Sequence, residues 1–234
     1  FDAVADQTVS VSTTDDDVAG FTVSETEGST GVDESGTTDI ITVVLNAQPA
    51  SDVVITVTSS DTGEATVTSS LTFTSENWDT PQNVTVTGVD DDLVDGTVNS
   101  TVTIAVDDAS SDDDFDAVAD QTVSVSTTDD DVAGFTVTET EGSTGVTEAG
   151  STDILNVVLN SQPDSDVVLT ISSSDTGESS VHGSTVSNNT ITFTSANWDT
   201  PQAFTVTGVD DDLVDGTVTS TVTISVVDAV SDDN

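Results

Sequence analysis

The sequence predicts an all-β protein, two tandem antiparallel β-sandwiches of about seven strands each, and three observations lead there. Apolar residues alternate with Thr and Ser at the two-residue period of a strand, and no stretch has helical period. A long segment also occurs twice: Phe1 to Asp17 is repeated 114 residues later, at Phe115 to Asp131. That spacing is one whole sandwich domain rather than a solenoid turn. Asn77-Trp78-Asp79-Thr80-Pro81-Gln82 recurs 120 residues later, at Asn197 to Gln202. The second copy therefore carries six extra residues near Val181 to Asn189, and they include the single histidine, His182.

Within one copy the strands follow in order. The first starts near Phe21, reading Phe-Thr-Val, and the second covers Ile40 to Leu45. Val53-Val54-Ile55-Thr56-Val57 is the third; like the second it is rich in apolar residues, as a central strand should be. Leu71-Thr72-Phe73 is the fourth. Val84 to Thr87, Val98 to Val106 and Thr122 to Thr127 alternate strictly and supply the fifth, sixth and seventh. Clusters of Gly, Asp, Ser and Pro punctuate them. The predicted fold is an immunoglobulin-like sandwich, twice.

Charge bounds the function. The 234 residues hold 45 acidic side chains and no Lys or Arg, for a net charge of −45. Nucleic acid and anionic membranes are excluded as partners by repulsion. Disorder is excluded because roughly a quarter of the chain is Val, Ile, Leu and Phe, above the disorder-prone range, and those residues alternate at strand period. There is no cysteine, so disulfide and thiol chemistry are absent. No apolar run reaches transmembrane length, so no direct membrane insertion is expected. The chain has no Met and no signal-like start, and we expect a mature chain or an excerpt of a longer one.

With no basic partner, acids brought close together must protonate, repel, or share cations. If successive strands run antiparallel, alternate loops fall at the same end of the sandwich. The loops after the first, third and fifth strands and the end of the seventh then share a pole. They carry Glu25, Glu27, Asp33 and Glu34; Asp61 and Glu64; Asp90, Asp91, Asp92 and Asp95; and Asp129, Asp130 and Asp131. Hard cations with oxygen ligands relieve such crowding, and Ca2+ suits flexible carboxylates better than Mg2+. The loop Gly88 to Gly96 reads as a short hairpin turn that supplies ligands. Acids of the opposite pole (Asp107, Asp108, Asp112, Asp113, Asp114 and Asp116) read equally as a calcium bridge between stacked repeats or as plain acidic surface.

The hairpin V-x-V-x-G-V-D-D-D ending at Asp92, the closing Thr128-Asp129-Asp130-Asp131 and the following Gly134-Phe135-Thr136-Val137 resemble the Calx-beta domain. They also resemble repeats of large bacterial surface proteins and adhesins. The resemblance implies calcium at one pole, held at positions matching Glu34, Asp61, Asp90, Asp91, Asp92, Asp129, Asp130 and Asp131. In the second copy the matching positions are Glu148, Asp175, Asp210, Asp211 and Asp212. Asp95 and its second-copy counterpart Asp215 join the expected metal set, as does the first triplet, Asp15, Asp16 and Asp17. The aspartate–aromatic element that such domains carry before the fourth strand is missing, which leaves Asp61 and Asp175 the weakest positions.

The copies are out of phase with the chain. The first repeat spans about 18–131 and the second 132–234, without a counterpart of its last strand. Residues 1–17 hold an orphan copy of that strand, Gln7 to Thr14, and its acidic triplet. Either the chain is a window on a longer array, or the orphan strand completes the second sandwich of a neighbouring molecule by donor-strand complementation. Both put neighbouring copies of the repeat head to tail.

These features predict a calcium-rigidified structural repeat of an extracellular fibre, adhesin stalk or surface layer at a cell surface. The missing basic residues suit a marine or high-salt prokaryote, where salt screens the charge. The alternative is an adhesion module that binds a glycan or protein through loops such as 181–189, around His182, Asn188 and Asn189. No enzyme is expected and no catalytic residue is assigned. Trp78 and Trp198, in identical N-W-D-T-P-Q contexts, suit a packing corner better than a sugar platform. Asn83, Asn99 and Asn188 open glycosylation sequons of a kind that chance supplies in a Thr-rich chain.

Overall fold

The computed structural model describes residues 4–183, 189–228 and 231. It falls into two compact units. One comprises residues up to Val32, Gly36–Val89 and Asn99–Thr127; the other comprises Asp33–Ser35, Asp90–Val98 and Thr128 onward.

The first copy builds nine strands: β1 (Phe21–Glu25), β2 (Thr30–Asp33), β3 (Thr38–Leu45), β4 (Val53–Ser59), β5 (Ala65–Val67), β6 (Ser70–Phe73), β7 (Gln82–Gly88), β8 (Thr97–Val106) and β9 (Gln121–Thr128). They form two sheets, ordered β1-β3-β7-β5 and β2-β9-β8-β4-β6. Pairing is antiparallel between β1 and β3, β3 and β7, β5 and β7, β4 and β6, and β4 and β8. Because successive side chains leave a strand on opposite faces, alternate residues point inward. Val53, Ile55 and Val57 of β4, Val84 and Val86 of β7, and Val123 and Val125 of β9 are buried, and Phe73 and Phe115 close the core. Their intervening Thr and Ser stay wetter. This is the predicted all-β, immunoglobulin-like sandwich.

Two details differ from the sequence expectation. β2 and β5 are strands where turn was expected; each is only three or four residues long and is made a strand by its neighbour, β9 or β7. Gly88 to Gly96 is not a hairpin, because β7 and β8 lie in different sheets. The segment is a crossover. Its start is fixed by the Val89 N–H donating to the Glu64 carbonyl at 2.9 Å, and its end by Gly96 at φ 76°, a conformation costly for other residues.

The second copy repeats the first sheet faithfully. β10 (Phe135–Glu139), β11 (Thr152–Leu159), β15 (Gln202–Gly208) and β13 (Ser179–Gly183) follow the order β10-β11-β15-β13. Its other sheet has three strands, β14 (Thr190–Phe193), β12 (Val167–Ser173) and β16 (Val222–Val226), in the order β14-β12-β16. Leu169, Ile191, Phe193 and Phe204 form its core. Residues 144–147, which correspond to β2, carry no strand, and neither do 217–221, which correspond to the first half of β8.

Residues 4–20 also form no strand, and Val9 and Val11 are each 86% exposed. His182 lies exposed on β13 opposite Thr205. Residues 184–188 of the expected binding loop, Asn188 among them, lie outside the described residues. Among the described residues no helix is long and apolar enough to cross a membrane.

Candidate metal centre

Glu34, Asp129 and Asp131 form the best-built acidic cluster. Each offers a carboxylate oxygen, and these oxygens lie within 4.8 Å of one another. Backbone hydrogen bonds bring them together. Glu34 follows β2, and its N–H donates to the Thr128 carbonyl at the end of β9, at 3.1 Å. The Asp129 N–H donates to the Gly96 carbonyl at 3.2 Å, and the Gly96 N–H returns a bond to Asp129 Oδ2 at 2.8 Å. Asp131 is folded back because its N–H donates to Asp129 Oδ1 at 2.7 Å. Asp91 organises the crossover in the same way, accepting from the Leu93 N–H at 2.8 Å.

The electrostatics are unfavourable for bare carboxylates. Glu34 is only 1% exposed, and its Oε2 is buried without a hydrogen-bond partner, as is Asp131 Oδ2. Burial first, then the charges of Asp91, Asp129 and Asp95, push the Glu34 carboxyl up to about 7, against a lowering bond from the Asp130 backbone. Asp95 and Asp131 are also pushed up, again by burial first and then by acidic neighbours. At 4.8 Å two like charges cost on the order of 3 kcal/mol at an effective dielectric near 20. The chain holds no Lys or Arg to offset this. A cation or a proton must do so, and an all-carboxylate donor set suits a hard, oxygen-seeking cation.

In the second copy a different set, Glu178, Asp211 and Asp215, the counterparts of Glu64, Asp91 and Asp95, forms a cluster within the same limit, and Glu148, the counterpart of Glu34, is not part of it. The Val209 N–H donates to the Glu178 carbonyl at 2.9 Å, and the Leu213 N–H donates to Asp211 Oδ1 at 2.7 Å. Burial, then Asp215, Asp211, Asp175 and Glu148, raise the Glu178 carboxyl.

Not every expected ligand takes part. Asp90, Asp92 and Asp130 contribute charge around Asp131 without joining a cluster. Asp61 and Asp175 each close a local turn, accepting the N–H of Gly63 and of Gly177 at 3.0 Å, and neither belongs to a cluster among the described residues. Asp210 and Asp212 are outside the clusters too. Asp15, Asp16 and Asp17 are exposed, joined only by an Asp17 N–H bond to Asp15 Oδ1 at 3.1 Å. Glu178 was missed. Its signal was present in the repeated Asp-Thr-Gly-Glu, whose first-copy member Glu64 is buried.

At the opposite pole Asp112 has a structural role. It is 6% exposed, and its carboxylate accepts from the Ser51 N–H at 2.7 Å and the Asp114 N–H at 3.1 Å, bonds that hold it ionised below the usual range.

These features define an acidic immunoglobulin-like β-sandwich repeat with clusters that could hold a metal ion. No family model and no curated protein matches the chain. Among solved structures, one similar to it is the calcium-binding domain CBD12 of CALX1.1. The two are 16% identical over 88% of this chain and 79% of that one, with a TM-score of 0.35. Another is domains 5-6 of the S-layer protein SbsC, 18% identical over 94% of this chain and 100% of that one, TM-score 0.33. The E. coli chaperone DraB is 8% identical over 66% and 75%, TM-score 0.35. Likeness at this level carries no argument about function.

Proposed function

We propose that the chain is a calcium-stiffened structural repeat of an extracellular fibre, adhesin stalk or surface layer, in which copies follow one another head to tail. The observation that carries this reading is the buried, unpartnered Glu34 Oε2 beside Asp129 and Asp131, in a chain that has no basic residue. Calcium is the proposed ion, because the donors are all carboxylates set on loops that can adapt to a large cation. Glu34, Asp129 and Asp131 would hold it in the first copy, with Asp91 and Asp95 adding charge; Glu178, Asp211 and Asp215 would do so in the second. The ion's chemistry here is charge neutralisation and cross-linking of loops. The proposed role involves no catalysis.

The setting follows from the same charge. A chain at −45 folds best where salt screens it and calcium is millimolar, so we place it at the surface of a marine or high-salt prokaryote. Sites of Kd about 10⁻⁴ M would be filled there, and 10 mM calcium would then stabilise the fold by about 2.7 kcal/mol per site. A thermal melt in 10 mM calcium and in chelator tests the reading. We expect a higher melting temperature with calcium and little effect of equimolar magnesium. Coincident melts in calcium and chelator would overturn it.

A further inference from the structure

We propose that Gly96 is a positioning residue of the first copy's cation site: its backbone holds Asp129, and through Asp129 it sets Asp131 and Glu34 around the ion. This rests on the calcium reading and names what shapes that site. The cluster is more than a gathering of acids, because Glu34 is 1% exposed and its Oε2 is buried without a hydrogen-bond partner beside Asp129 and Asp131. Gly96 precedes β8 and Asp129 follows β9, and these two strands are neighbours in their sheet.

Gly96 has no side chain, so its peptide groups must do the positioning. Its N–H donates to Asp129 Oδ2 at 2.8 Å, and its carbonyl accepts the Asp129 N–H at 3.2 Å. Both bonds end on one residue, and only the two backbone torsions of Gly96 lie between its N–H and its carbonyl. Both groups meet that partner at φ 76°, a conformation glycine adopts freely and alanine does not. A Cβ added there would meet no atom within 4 Å, so the position selects glycine by backbone conformation and not by space. An alanine that relaxed its φ would keep one of the two bonds and lose the other.

From Asp129 the order passes along the chain. Asp129 Oδ1 accepts the Asp131 N–H at 2.7 Å, which folds Asp131 back beside Glu34. The Asp130 backbone bonds the Glu34 carboxyl, and the Glu34 N–H donates to the Thr128 carbonyl at 3.1 Å. Each oxygen of Asp129 therefore already accepts one N–H, and its carboxylate is oriented before an ion arrives. Glu34 Oε2 and Asp131 Oδ2 remain without a hydrogen-bond partner. Asp129 orients the site, and Glu34 and Asp131 offer it bare oxygens. Loosening Gly96 frees Asp129 to turn and takes the anchor of Asp131 with it. That lost preorganisation falls on cation affinity.

Calcium titration of the 234-residue chain, followed at the amides of Asp129, Asp130 and Asp131 by two-dimensional NMR, tests this and reads the site apart from the second copy's cluster. Gly96→Ala should stay folded and bind calcium there roughly five- to thirtyfold more weakly, the left-handed strain of alanine falling on the ion-binding conformation. In chelator the same variant should speed hydrogen exchange of the Asp131 amide. Gly96→Asn, which tolerates that conformation, should bind within about threefold of wild type. Gly28→Ala places the same strain, at φ 84° and again with no atom within 4 Å, before β2, the strand whose other end leads to Glu34. It should lower the melting temperature and leave calcium affinity and Asp131 exchange unchanged. Wild-type affinity in Gly96→Ala, or an equal loss in Gly28→Ala, would overturn the inference and leave the calcium reading standing. Wild-type amides unmoved by calcium would overturn both.

Discussion

Replacing Glu34 with Gln keeps the side chain's shape and removes its charge, and it should stabilise the metal-free protein. Glu34 titrates at about 7 rather than 4.5, because burial strips its water and Asp91, Asp129 and Asp95 repel it. A carboxyl with a raised folded-state pKa holds its proton more tightly when folded. Its contribution to stability is therefore complete below pH 4.5 and is lost as pH rises through 7. The loss on going from 4.5 to about 7 amounts to about 3 kcal/mol. Asp95 and Asp131, raised by the same causes, slope the same way. Asp39, Asp112 and Asp153 are lowered and slope oppositely, but their contribution is already complete above their ordinary 3.8. Metal-free wild type should therefore be more stable at pH 5 than at pH 8. At pH 8 the Gln variant should exceed it by up to about 3 kcal/mol, and should gain less from calcium. Urea unfolding in chelator and in calcium at pH 5, 6, 7 and 8 reads this, followed by the fluorescence of Trp78 and Trp198, which pack against the two cores. A variant less stable than wild type at pH 8 in chelator, or wild-type stability rising with pH, would refute the reasoning.

Two further outcomes follow from the fold. Asn77 Oδ1 accepts the Thr74 N–H at 2.6 Å, and Asn197 accepts that of Thr194 at the same distance, so Asn77→Ala and Asn197→Ala should each cost about 1–2 kcal/mol in urea unfolding; a change within error would deny the N-W-D-T-P-Q corner a structural role. In chelator, raising NaCl from 10 mM to 1 M should raise the melting temperature, because 45 uncompensated negative charges oppose compaction; an unchanged melt would mean the charges sit too far apart to matter.

Strands were legible where alternation runs for four residues or more, since burial of one face and solvation of the other fix the period. Val84 to Thr87 and Val98 to Val106 illustrate this, lying within β7 and β8. β2 and β5 were not legible, because three or four residues of mixed polarity become a strand only when a distant neighbour pairs with them. For the same reason the sheet to which a strand belongs is not written locally, and the Gly88–Gly96 crossover looks like a hairpin in sequence. At the acidic pole, residue type and loop alternation pointed to Glu34, Asp129 and Asp131, which the structure brings within 4.8 Å. They did not separate Asp61 and Asp175, whose carboxylates are engaged by the amides of Gly63 and Gly177, from Glu178, three residues after Asp175, which joins a cluster. In both Asp-Thr-Gly-Glu segments the Asp satisfies itself locally on the Gly amide, whereas the Glu three residues on reaches a carboxylate cluster, a difference set by the fold around the loop.

The Gly88–Gly96 crossover has a mechanical meaning. Gly96 is tied in both directions to Asp129, the first residue after β9, where the chain leaves the first sandwich. Tension applied along the polypeptide therefore reaches Asp129 and Asp131 before it reaches the buried valines of β9. Two hydrogen bonds alone make a weak latch there. An ion gripping Glu34, Asp129 and Asp131 would turn it into a rivet at the head of the load path, so a pulled chain would have to strip off its metal before the first strand could peel.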